Sequence, residues 1–185
     1  MNSLDPFTNI RSAAVNTFTT ARDVGGAPLK YTIADELTIG TMVQLEAVGE
    51  VSTTGTPNFR VGFAYGITSA GGNLSTGVEL AGTALAGVAT GAAWAWHINY
   101  FGIVTAVGTS GVLYGSGYAD IPTSLTAGTT GPIPTTAAAR SATIDTTAKK
   151  TWHVFAEFGT SNASNQVRVD YFNVKIENQG KPGQA

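Results

Sequence analysis

Alternation of apolar and polar residues predicts most of the structure of this chain. In residues 41–51 and 59–67 nearly every second residue is apolar. A period of two is typical of strands that bury one face and expose the other. The connector between them, residues 52–58, is rich in Ser, Thr, Gly and Pro. The pattern therefore predicts that these two strands form an antiparallel pair.

The second half of the chain continues in extended segments. Residues 92–107 alternate throughout, but sixteen strand residues would span roughly 50 Å, which is long for one strand. We therefore expect a bulge or bend at Gly102, where the strand would pass from one sheet to the other. Residues 112–121 are predicted to be its hairpin partner. The apolar phase switches within residues 166–177, which indicates a bulge or a corner. Further strands are expected near residues 73–83, 141–145 and 152–158.

These elements predict an all-β fold. Residues 122–140 are poor in large apolar side chains and rich in Thr and Pro, which predicts a long loop or arm that could cross onto a neighbouring subunit. We expect an antiparallel β-sandwich, jelly-roll-like, with this Thr/Pro-rich loop or arm. The predicted organisation is an N-terminal arm and first strands in 1–34, the sandwich in 35–178 and a flexible tail in 179–185.

The composition argues against several classes of function. Only 12% of the 185 residues are charged, the net charge is -2 and cysteine is absent. No cluster of Lys and Arg indicates nucleic-acid binding. The uncharged stretch between Glu79 and Asp120 is interrupted by glycines and polar residues, so we expect no membrane span. A surface with so little charge has weak long-range repulsion, which favours assembly with other protein subunits.

Catalytic and metal-binding patterns are not recognisable. The two histidines, His97 and His153, lack an obvious cluster of further ligands, so ordinary strand or core positions are expected for both. Glycosidase chemistry needs two carboxylates at a fixed separation. Glu46 and Glu50 are expected to share one strand face, and Glu157 and Asp170 are expected to lie on neighbouring strands. Exposed carboxylates on paired strands explain both pairs better than a catalytic site. We expect no enzymatic activity, no metal and no cofactor.

Three aromatic residues share one face of the predicted strand 92–107. Trp94, Trp96 and Tyr100 are spaced by two and four residues. Three interpretations stay open: the hydrophobic core, a contact between subunits, and a stacking platform for sugar rings.

Several segments resemble tailed-phage virion structural proteins with a jelly-roll fold, of the capsid decoration (cement) type. The resemblance covers roughly residues 35–178 and is carried by the following segments: Asp35-Glu36-Leu37-Thr38-Ile39-Gly40-Thr41, a strand ending in Gly49, Gly55-Thr56-Pro57, Trp94-Ala95-Trp96-His97-Ile98, Gly108-Thr109-Ser110-Gly111, Ala142-Thr143-Ile144-Asp145-Thr146-Thr147-Ala148, and Ser161-Asn162-Ala163-Ser164-Asn165 before a final strand ending in Glu177.

The resemblance implies a non-enzymatic capsid decoration protein that binds and stabilises the capsid surface of a bacteriophage as a homo-oligomer. Its expected partners are other copies of itself, in a homotrimer, and the major capsid protein. Its expected location is the virion surface, after assembly in the host cytoplasm. The alternative is a glycan- or receptor-binding module of a phage head fibre or tail fibre.

Overall fold

Two antiparallel sheets packed face to face make up the protein, in a computed structural model that describes residues 12–25, 30–124 and 127–177. The fold is therefore an all-β sandwich, as the sequence predicted. The strands of the described residues are β1 (Val15–Asn16), β2 (Arg22–Asp23), β3 (Lys30–Thr32), β4 (Met42–Thr53), β5 (Asn58–Tyr65), β6 (Val78–Gly82), β7 (Ala86–Gly87), β8 (Gly91–Ala106), β9 (Gly111–Ser124), β10 (Ala127–Ile133), β11 (Ser141–Ile144), β12 (Lys150–Phe158) and β13 (Gln166–Glu177).

The larger sheet has seven strands in the order β1-β13-β4-β8-β9-β10, and β11 pairs with the first part of β9. The smaller sheet has six strands in the order β2-β12-β5-β6, with β3 also paired to β12 and β7 to β5. Two short 3-10 turns lie between strands: Leu74–Thr76 between β5 and β6, and Ala137–Arg140 between β10 and β11. The described residues contain no helix that could cross a membrane.

The core lies between the inner faces of the two sheets. Alternation places one set of side chains of each strand there, and burying a large apolar side chain contributes about 1.5–3 kcal/mol. Rings contact each other within a sheet, as Phe59 does Phe158 in the smaller sheet at 5.1 Å between centroids. They also contact each other across the core, as Phe63 of the smaller sheet does Phe172 of the larger sheet at 6.1 Å. The largest fully buried residues are Trp96, Trp152, Tyr65, Tyr100, Phe59, Phe63, Phe155, Phe158, Leu45, Ile67, Leu80 and Ile98.

The predicted pairing of residues 41–51 with 59–67 is wrong. β4 lies between β13 and β8 in the larger sheet, whereas β5 lies between β12 and β6 in the smaller one. The connector carries the chain from one sheet to the other, so the apolar faces of β4 and β5 meet across the core. Alternation identifies the buried face of each strand, but it is equally compatible with a hairpin and with two facing strands.

The predicted change of sheet at Gly102 is also wrong. β8 is one strand of sixteen residues that stays in the larger sheet, and Gly102 pairs in register with Val43 and Gly115. A Cβ at Gly102 would lie 2.8 Å from the ring of Tyr100. The glycine therefore makes room for a neighbouring ring and does not mark a bend.

The predicted long loop or arm of residues 122–140 is mostly regular structure. β9 continues to Ser124, and β10 pairs back on it between Ala127 and Ile133. β10 is the last strand in the described order of its sheet, and Pro132 is tolerated in an edge strand because its missing N–H is not needed there. Most of its residues are exposed, so the strand lacks the alternation that reveals a buried face.

Other predictions are confirmed. β8 and β9 form the expected hairpin, and the phase switch in β13 is a bulge between Val169 and Tyr171. β1 pairs with β13, and β2 and β3 pair with β12, so described parts of the predicted segment 1–34 contribute strands to both sheets. The predicted tail 179–185 lies outside the described residues.

Candidate functional site

The three aromatic residues singled out from the sequence point toward the inside of the sandwich. Trp96 and Tyr100 are only 1% and 2% exposed and belong to the core, and half-buried Trp94 packs against that core. Burial raises the pKa of the Tyr100 hydroxyl. Of the three interpretations, the structure gives Trp96 and Tyr100 the core position, where neither ring can reach a sugar or a partner subunit.

The opposite face of the same strand carries a different set of side chains. Register places Met42, Ile103 and Tyr114 in one row across β4, β8 and β9. The next row is Gln44, Phe101 and Ser116, and the third is Glu46, Asn99 and Tyr118. These rows lie on the outer face of the larger sheet, because the residues between them along each strand point into the core.

Large apolar side chains are concentrated on this outer surface. Tyr118 is 50% exposed, Tyr114 49% and Phe101 47%. The turn before β4 adjoins the same surface, since the Gly40 N–H donates to the Val104 carbonyl at 2.8 Å. We use the term apolar face for six exposed residues on β8, β9 and the adjoining turns: Ile39, Phe101, Ile103, Val107, Tyr114 and Tyr118.

Charged groups lie at three places beside the apolar face. On one side Nε2 of His97 lies 3.1 Å from Oε1 of Glu46. On another side Nζ of Lys175 lies 2.5 Å from Oε1 of Glu177, on the strand next to β4. Asp120 is exposed on β9 beyond Tyr118. An apolar centre with a polar, charged rim is the usual arrangement of a protein–protein interface.

An open depression lies beside the apolar face, with a volume of about 340 Å³. Side chains of Gln44, Glu46, Asn99, Phe101 and Asn173 line it. Three amides, one carboxylate and one ring are groups that can bond to hydroxyls and stack on an apolar sugar face. A second recess on the same sheet, of about 110 Å³, is lined by Glu50, Ser52, Gln166 and Arg168 together with smaller apolar residues.

The acids considered from the sequence do not converge on a common site. Glu157 lies on β12 in the smaller sheet and Asp170 on β13 in the larger sheet, so their expected position on neighbouring strands is wrong. Glu46 and Glu50 share the outer face of β4 as expected, and Glu50 is paired with Arg168. In the ranges that the structure describes, no three His, Cys, Asp or Glu side chains cluster in a way that would hold a metal ion.

The two histidines occupy contrasting environments. His97 is 44% exposed in its pair with Glu46, whereas His153 is fully buried beside Asp23. Nδ1 of His153 lies 3.1 Å from Oδ1 of Asp23, although its N–H is not aligned for a regular hydrogen bond. Nε2 lies 2.5 Å from Oγ1 of Thr151. This buried network joins β2 to β12.

Sequence reasoning missed Phe101, Tyr114 and Tyr118 as surface residues. The sequence does contain a pattern that could have identified the tyrosines. Tyr114 and Tyr118 lie two residues before and after Ser116 on β9, on the face opposite to buried Leu113 and Ala119. Deciding that this phase is the outer one requires knowledge of the neighbouring strands.

Compared with known proteins, the chain matches no protein-family model, no curated protein and no solved structure.

Proposed function

We propose that this chain is a non-enzymatic virion structural protein, namely a capsid decoration (cement) protein that binds and stabilises the capsid surface as a homo-oligomer. The observation that carries the proposal is the apolar face. Its three rings are about half exposed on the outer side of the larger sheet, where they present apolar area to another protein.

The two outer surfaces of the sandwich differ in a way that supports this proposal. On the smaller sheet, Phe155 points outward but is covered by Ala21, Ile67 and Leu74 of the same chain. On the larger sheet, no described segment covers Phe101 and its neighbours. Within the described residues, the protein therefore covers one apolar outer surface with its own side chains and leaves the other uncovered.

Composition and resemblance support the same proposal. With 12% charged residues the surface offers little electrostatic repulsion to a neighbouring subunit. The segments that resemble phage decoration proteins include the Ile39 turn and the β8–β9 connection, which both adjoin the apolar face.

Co-sedimentation with mature capsids prepared without the protein tests this proposal. We expect the full chain to bind with a fixed number of copies per capsid and to raise the temperature at which the capsid opens. A chain that remains in the supernatant at all concentrations would overturn the proposal.

One observation favours a second function, a glycan- or receptor-binding module of a phage head fibre or tail fibre. The open depression combines amides with the exposed ring of Phe101, which is suitable chemistry for a neutral saccharide. Binding to a glycan panel that disappears in Phe101→Ala and persists in the matched control Leu85→Ala would support it. Leu85 is also exposed, at 41%, but is not part of the apolar face. A panel without any bound glycan would remove this alternative.

A further inference from the structure

We infer that the apolar face is the binding site for a second copy of this chain, packed face to face about a two-fold axis. This inference rests on the proposed function, because it names the surface and the partner through which the chain would form its homo-oligomer. A face that packs on its own copy about a two-fold axis makes a dimer, so the inference replaces the homotrimer that the resemblance implies.

The arrangement of the rings suits a partner that also presents rings. Ser116 pairs with Phe101 across β8 and β9, and Tyr114 and Tyr118 stand on either side of it. The small serine leaves space between two tyrosines, next to an exposed phenylalanine. Tyrosine and phenylalanine contribute large contact areas for little loss of side-chain entropy.

The lack of charge at the centre of the apolar face is compatible with a second copy of the chain as the binding partner. Two-fold packing places a surface against itself, so any net charge in its centre would meet the same charge. The rows of Ile103 and Phe101 contain no Asp, Glu, Lys or Arg on β4, β8 or β9. Glu46, in the adjoining row, bonds to His97 at 3.1 Å. A neutral centre of this kind meets its own copy without repulsion.

The exposed apolar area of this face is also large enough for a homodimer interface. Three aromatic rings, each about half exposed, present roughly 300 Å² in total. With the three aliphatic members, the apolar face reaches on the order of 500 Å². A standard interface buries about 800 Å² on each partner, of which about 65% is apolar in homodimers. The apolar face therefore supplies the apolar share that such an interface needs.

Sedimentation equilibrium of the purified full chain over a wide concentration range tests the inference with Ser116→Arg. This substitution removes no apolar contact but places a like charge on both copies at the centre of the interface. We expect the dissociation constant to rise at least about 100-fold, given the usual cost of disrupting a central contact on two copies. Phe101→Ala is the second variant, and we expect it to weaken association about 30-fold or more.

Leu85→Arg is the matched control, since it adds the same charge at an exposed apolar residue outside the apolar face. Circular dichroism of every variant verifies that the sandwich is folded. We expect the control to associate like the unchanged protein. A protein that is monomeric at all concentrations, or one whose association survives both Ser116→Arg and Phe101→Ala, would overturn the inference.

The proposed function has its own readout in capsid co-sedimentation. A chain that binds capsids and self-associates through a different surface would contradict only this inference. A chain that self-associates as described but does not bind capsids would contradict only the proposed function.

Discussion

The imidazole of His153 lies against the carboxylate of Asp23 inside the protein, with 3.1 Å between Nδ1 and Oδ1 and no more than 1% exposure of either side chain. Asp23 also accepts the N–H of Gly71 at 2.8 Å and that of Gly25 at 3.2 Å. On the other side of the ring, Thr151 contacts Nε2 and donates its hydroxyl to the Ile67 carbonyl at 3.1 Å. The network therefore holds the loop after β5 against β2 and β12.

Replacing His153 should strongly destabilise the protein. His153→Ala leaves the Asp23 carboxylate buried without its imidazole partner and opens a cavity. Removing one member of a buried pair typically costs about 3–5 kcal/mol. Denaturant-induced unfolding measures this loss as a decrease in the free energy of unfolding.

His97→Ala is the control for that experiment. His97 also pairs with an acid at 3.1 Å, but the two side chains are 44% and 48% exposed. Solvent screens such a pair, so we expect a loss of less than about 1 kcal/mol. Similar losses in the two variants would show that burial of the Asp23–His153 pair is unimportant for stability.

Gly49→Ala should destabilise the sandwich by overpacking. A Cβ at Gly49 would overlap the Trp96 ring and the carbonyl oxygen of Arg168. We expect a loss of about 1–3 kcal/mol, measured by thermal or denaturant unfolding. The matched control is Gly131→Ala on β10, where an added Cβ has no atom within 4 Å. If the control loses as much stability as Gly49→Ala, the close approach of Trp96 is not the cause.

Stability should decrease at alkaline pH because two tyrosines are buried. Burial raises the pKa of Tyr65, a shift partly offset by its hydrogen bond with Thr32, and burial also raises the pKa of Tyr100. A raised folded-state pKa contributes stability that is fully present below the unfolded value of about 10 and is lost as the pH rises above it. Denaturant unfolding at a series of alkaline pH values measures this loss.

Tyr100→Phe separates the two tyrosines in that titration. The Tyr100 hydroxyl has no hydrogen-bond partner within the described residues, so we expect the variant to change stability by less than about 1 kcal/mol at neutral pH. The alkaline loss should become smaller because one buried ionisable group has been removed. An unchanged alkaline profile would contradict the role of Tyr100.

Acid should weaken the turn after β11 through Asp145. Its carboxylate accepts the Thr147 hydroxyl at 2.7 Å and the Thr147 N–H at 3.0 Å, and Lys150 is 3.9 Å away. These contacts lower the pKa of Asp145. Its contribution is therefore present above the unfolded value of about 3.9 and is lost as the pH falls. Asp145→Asn should flatten the acid side of the stability profile, and an identical profile would contradict this.

The sequence predicted the strands better than their partners. β4, β5 and β13 were recognisable because a strand with one buried face repeats every two residues. The predicted pairing of β4 with β5 was wrong because alternation shows which face of a strand is buried but does not show which strand it is hydrogen-bonded to. β10 was missed as a strand because it is an edge strand with few buried residues, so no burial pattern was available to reveal it.

By itself, the sequence determined that this protein is an all-β sandwich with a weakly charged surface, because these properties follow from local alternation and from composition. The tertiary structure alone decided that Trp96 is core while Phe101, five residues later on the same strand, is surface. Both are large aromatic residues in one alternating strand, and the packing of the opposing sheet decides which face of that strand is buried. Only the packed sheets could therefore reveal the apolar face.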